Sequence, residues 1–71
     1  MKVVYDPETD SLDLIFREEK VSESDEVREG IIVDYNKDGK LVSIEVMHAS
    51  EHVQDPRTMV FQAKATGVSS L

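Results

Sequence analysis

Between Ile31 and Val46 the chain reads IIVDYNKDGKLVSIEV. Ile31, Val33 and Tyr35 alternate with Ile32 and Asp34, and Val42, Ile44 and Val46 alternate with Leu41, Ser43 and Glu45. β-Branched and aromatic residues in period-two order, broken by Asn36-Lys37-Asp38-Gly39, predict two strands joined by a tight turn. A four-residue loop around a type I turn, with Gly39 at positive φ, pairs Tyr35 with Lys40, Val33 with Val42 and Ile31 with Ile44.

The rest of the chain flanks that hairpin. Lys2–Tyr5 reads as a short strand, and Asp6-Pro7-Glu8-Thr9-Asp10 as a turn. In Ser11–Arg17, Leu12, Leu14 and Phe16 alternate with Ser11, Asp13 and Arg17, the pattern of a half-buried strand and of a second hairpin. Glu18–Glu29 has only Val21 and Val27 as apolar residues. It reads as an exposed connection or a charged edge strand, the alternative being a helical turn capped by Ser22 or Ser24. In Met47–Gln54 the alternation lapses into one helical turn. Asp55-Pro56 then resembles a helix start and Gly67 a stop, which predicts a helix over Arg57–Ala65 and fraying over Thr66–Leu71.

The fold class expected is therefore α+β: a small antiparallel sheet, a meander of about four strands in two hairpins, with a short C-terminal helix. Residues 1–54 form the β domain and residues 55–71 the helix and tail. Ile15, Ile32, Leu41 and Met47 fall on the second sheet face beside Asp13, Asp34 and Glu45. A small sheet with apolar residues on both faces needs two covers, and a second subunit supplies one, so a homodimer is expected.

Composition narrows the function classes. At 71 residues the chain is one domain that buries only about 60% of its unfolded surface. It has no cysteine, which removes disulfides and thiolate metal sites, and no secretory or membrane-spanning pattern, so a cytoplasmic protein is expected. Fifteen acids against eight bases give a net charge of −7. Residues 1–30 hold ten acids and four bases (−6), and residues 31–71 five and four (−1). That balance repels phosphate and argues against direct nucleic-acid binding, while it suits a basic protein partner.

Two strings resemble chemistry. Asp34-x-Asn36-x-Asp38-Gly39-x5-Glu45 matches a calcium loop by residue type and offset. Such a loop must curl around one ion between two helices, whereas these flanks are β-patterned. In the register above Asp34 faces Leu41, and Glu45 lies about 13 Å further along the strand at about 3.3 Å per residue, out of reach of a shared ion. His48-x-x-Glu51-His52 matches an inverted zinc-protease motif. It lacks the long scaffold helix and a third downstream ligand, and Pro56 stops a helix here. No catalytic, cofactor-binding or metal-binding residue is assigned and no cofactor is expected. Asp34, Asn36, Asp38, His48 and His52 are the residues a metal would use.

Tyr5-Asp6-Pro7-x-x-Asp10-x-Leu12, Val33-Asp34-Tyr35-x-x-Asp38-Gly39, Val42-x-Ile44-Glu45-Val46 and Ala49-Ser50 together resemble a small prokaryotic family, domain of unknown function 2283, over residues 1–53. His48 departs from the acidic residue usual there. The resemblance implies a compact α+β domain with an antiparallel sheet and no established activity. It also implies an occasional genetic neighbourhood with small toxin-like proteins. The resulting reading is a non-enzymatic protein-interaction module, antitoxin-like in its sharpest form. The competing reading is a metal- or small-ligand-binding protein using Asp34, Asp38 and Glu45 or His48 and His52.

Overall fold

The computed structural model describes residues 1–65. Five strands, β1 (Lys2–Asp6), β2 (Ser11–Ile15), β3 (Glu23–Arg28), β4 (Ile31–Tyr35) and β5 (Leu41–Val46), are followed by one short helix, α1 (Ala49–His52). They form a single antiparallel sheet in the order β1-β2-β5-β4-β3. The class is α+β as expected, but a meander of about four strands is not what forms. Strand β2 pairs with β5, and β3 takes the far edge, so strands β2 to β5 lie in a Greek-key order. The physical reason lies in β3, whose ESDEVR sequence is exposed at every position. A strand with three acids and one valine costs least at an edge, where its charges stay in water.

Residues 16–22 link β2 to β3 past the turn end of the β4–β5 hairpin. Phe16 and Arg17 both donate their N–H to the Val42 carbonyl, at 2.8 and 3.2 Å, and Ser22 donates to the Tyr35 carbonyl at 2.7 Å. Glu19 accepts from the Asn36 side chain at 2.8 Å, tying the link to the turn.

The β4–β5 hairpin forms with a different register from the one expected. Asn36 N–H donates to the Lys40 carbonyl, and Gly39 N–H donates to the Asn36 carbonyl, so Asn36 and Lys40 close a three-residue loop. Gly39 sits at φ 78°, as that turn requires. The Asn36 side chain accepts from the N–H groups of Asp38 and Lys40, which pulls it into the loop closure. A bulge at Val42 adds a second one-residue offset, so that Tyr35 faces Leu41, Val33 faces Ile44 and Ile31 faces Val46. A single slip turns over every side chain beyond it, and the second restores the faces from Ser43 onward; Leu41, between the two, faces Tyr35 and not Asp34, so it leaves the second face on which it was expected.

One face carries the core. Leu12, Val46 and Ala49 are buried there, with Val3, Tyr5, Ile31, Ile44 and Val53 packed around them. Helix α1 closes this face: Ala49 is 0% exposed. The segment after it also lies on this face, where Val53, Asp55, Pro56, Thr58 and Met59 border a cavity of about 190 Å³ over Val3, Leu12 and Leu14. The helical turn expected in Met47–Gln54 is present, but the helix expected over Arg57–Ala65 is not. Those residues form a turn and then irregular backbone. Their apolar residues, Met59, Val60 and Phe61, are exposed and present no stripe to bury. The expectation for Thr66–Leu71 lies outside the described residues. No helix among the described residues is long and apolar enough to cross a membrane.

Candidate functional site

Two polar clusters stand out, and of the two chemistry-like strings only Asp34 and Glu45 fall within one of them. The first joins the β1–β2 turn to α1. Asp10 adopts φ 54°, a left-handed conformation that Asp tolerates better than most residues. Its carboxylate accepts from the Tyr5 hydroxyl at 2.7 Å, the Ser50 hydroxyl at 2.7 Å and the Ser50 N–H at 3.1 Å. Its own carbonyl accepts from Ala49 N–H at 2.8 Å. The hydrogen bond from Ser50, followed by that from Tyr5, lowers the Asp10 carboxyl below the ordinary Asp range, so it is ionised where it accepts. The arrangement is a clasp: it fixes the entry to the helix and sets buried Ala49 on Leu12 and Val46. The Arg57 guanidinium lies 5.8 Å from the centre of the Tyr5 ring and brings the following segment onto the same strand.

The second cluster lies on the other sheet face. Asp34 faces Ser24 on β3 and Ser43 on β5 in register, and all three point to one side. Ser24 and Ser43 donate to the two Asp34 carboxylate oxygens at 2.6 and 2.7 Å. Asp34 is only 2% exposed. Glu45, two residues beyond Ser43, is the diagonal neighbour of Asp34 on that face. Asp13 stands opposite Glu45 on β2.

The chemistry follows from crowding acids on one patch. Hydrogen bonding to Asp34, then burial, then the negative charges of Asp34 and Asp13 push the Glu45 carboxyl up to about 7. Burial alone would raise Asp34, but hydrogen bonds from Glu45, Ser24 and Ser43 outweigh it and hold Asp34 below the ordinary Asp range. Near neutrality Glu45 is therefore the acid of the pair that retains its proton more readily, while Asp34 stays ionised. The two serine hydrogen bonds to Asp34 stitch β3, β4 and β5 together. Among the described residues no buried side-chain nitrogen or oxygen lacks a partner.

The two offsets in the hairpin overturn the expected separation of Asp34 and Glu45: they are neighbours. The rest of the calcium string does not join them, because Asn36 is committed to closing the turn and Asp38 lies within that turn. His48 precedes α1 at φ 51°, in a left-handed conformation, so it does not stack one helical turn above His52. Its Nδ1 lies 4.0 Å from Glu51 on exposed side chains. Among the described residues no group of three His, Cys, Asp or Glu side chains is placed to hold a metal ion.

Ser24, Ser43 and the Asp10–Ser50 bridge were not identified as partners from the sequence. Small polar residues at alternating strand positions hinted at the first two. The third spans forty residues in the chain and has no local signal. No curated protein and no solved structure matches the chain. The family model described as "Protein of unknown function (DUF2283)" matches residues 2–50, which include all five strands, both polar clusters and the start of α1. The chain belongs to that family.

Proposed function

We propose that the chain is a non-enzymatic protein-interaction module that acts as a homodimer and binds a basic protein. The observation that carries the reading is the acidic stretch Glu18–Glu29, in which Glu23–Arg28 forms the edge strand β3. It holds six acids and two bases, with β3 exposed along its whole length and its outer backbone groups available for pairing with a strand of another chain. A basic partner strand would meet acids at Glu23, Asp25 and Glu26, whereas a second acidic β3 would be repelled. Asp34, Asn36, Asp10 and Ser50 are occupied in hydrogen bonds that hold strands, turn and helix together, which supports an association role over a catalytic one. The antitoxin-like version names the same partner chemistry.

The test is co-expression with the products of adjacent genes and co-purification of a basic one. Binding should weaken steeply between about 0.05 and 0.5 M salt, as surface electrostatics are screened. The triple substitution Glu23→Lys, Asp25→Lys, Glu26→Lys should abolish it while the far-ultraviolet spectrum stays native. Binding that is indifferent to both salt and the triple substitution would count against the acidic edge. Stoichiometric metal on elemental analysis would instead favour the metal-binding reading.

A further inference from the structure

We infer that two copies of the chain pair antiparallel through β1, making one ten-stranded sheet with an acidic β3 edge at either end. The inference rests on the self-association proposed above and names its surface. β1 is an edge strand, and among the described residues no backbone group outside β2 pairs with it. Its sequence, Lys2-Val3-Val4-Tyr5-Asp6, is complementary to itself when reversed about Val4. A twofold axis there sets Lys2 opposite the second copy's Asp6, Val3 opposite its Tyr5, and Val4 opposite its Val4. Both ends gain an opposite-charge pair, and the centre gains β-branched and aromatic contacts, the pairings that favour strand association.

The faces also match. Val3 and Tyr5 lie on the core face, so the pairing extends the apolar layer across the seam. Lys2, Val4 and Asp6 lie together on the other face, all exposed. Two cavities, of about 410 and 430 Å³, run beside β1 on the core face and share Val3 and Met59. The second is completed by Met1 and Phe61, and Phe61 is 72% exposed. A second copy brings apolar side chains to this margin, and its own Met59 and Phe61 approach from the symmetric side.

The opposite edge does not offer the same contact. Pairing β3 with itself about its centre sets Asp25 against Glu26 twice, and its ladder is bulged between Glu26 and Arg28. Pairing β1 with the β3 of another copy would leave edges free and build an open filament, whereas the twofold contact closes on itself.

Light scattering at micromolar concentration should give twice the 8.0 kDa chain mass. Lys2→Asp, which sets acids against acids at both ends of the seam, should weaken the dimer at least about tenfold. Adding Asp6→Lys to it should restore the dimer. Val4→Cys, in a chain without other cysteines, should crosslink to dimer under mild oxidation, because directly opposed residues lie within disulfide reach. A dimer that survives Lys2→Asp and does not crosslink through position 4 overturns the β1 seam but leaves self-association standing. A native chain that stays monomeric overturns both.

Discussion

Glu45 shows at the scale of one residue how register converts an ordinary acid into a proton store. It ionises at about 7 in the folded chain against 4.5 for the free side chain. The folded state therefore keeps a proton that the unfolded chain has already lost. The stability due to this group is full below 4.5 and is lost as pH rises through about 7. Asp34 acts in the opposite sense: its contribution is present above the ordinary value of 3.8 and fades as pH falls through its lowered folded value. The melting temperature should accordingly rise as pH is lowered from about 8 to about 5.5, and Glu45→Gln should flatten that slope and raise stability at about pH 8. Thermal scans across that range check both outcomes. Replacing Ser24 with Ala removes a hydrogen bond to a charged acceptor and should cost about 1.5–3 kcal/mol by urea unfolding. At the other cluster, Asp10→Ala should loosen α1, read as faster amide exchange at Val53, whose N–H bonds the Ala49 carbonyl. Asp10→Asn should keep more of the protection, since Asn also tolerates the left-handed backbone at that position.

Among the elements, the β4–β5 hairpin and α1 carry the tertiary arrangement. Gly39 has positive φ and open space around it, so Gly39→Ala isolates backbone strain from packing. It should cost about 1 kcal/mol, roughly 4–8 °C in melting temperature, with Gly39→Asn costing less. Ala49 is fully buried against Leu12 and Val46, and Ala49→Leu should push α1 off the sheet at about 1–3 kcal/mol. Strand β3 contrasts with both. It buries none of its residues, so its place at the edge rests on backbone pairing with β4 and on the Ser24–Asp34 hydrogen bond.

At the scale of the molecule, the chain is a single sheet with one thinly covered face and no large side chain fully buried among the described residues. Leu12, Val42, Val46 and Ala49 are its buried apolar residues, while Met1, Met59, Val60 and Phe61 remain in water. A protein of this size gains stability by association, since mass action stabilises any folded state that binds another copy. The proposed dimer therefore predicts a melting temperature that rises with protein concentration over a hundredfold range, a dependence that Lys2→Asp should remove.

Strands β1, β2, β4 and β5, the turn at Asn36–Gly39, the faces of most strand residues (Leu41 excepted) and the family were legible in the chain itself. Period-two alternation and turn chemistry are local, acting over a few residues. The charged stretch Glu18–Glu29 was readable as an edge for the same reason. What only the tertiary structure decided was non-local: the interleaved strand order, the two offsets that bring Glu45 to Asp34, and the reach of Asp10 to Ser50. The Val42 bulge leaves no distinctive local mark, yet it sets which carboxylates meet. The absent helix at Arg57–Ala65 has the same origin, because cap and stop residues permit a helix while only a buried face holds one in place.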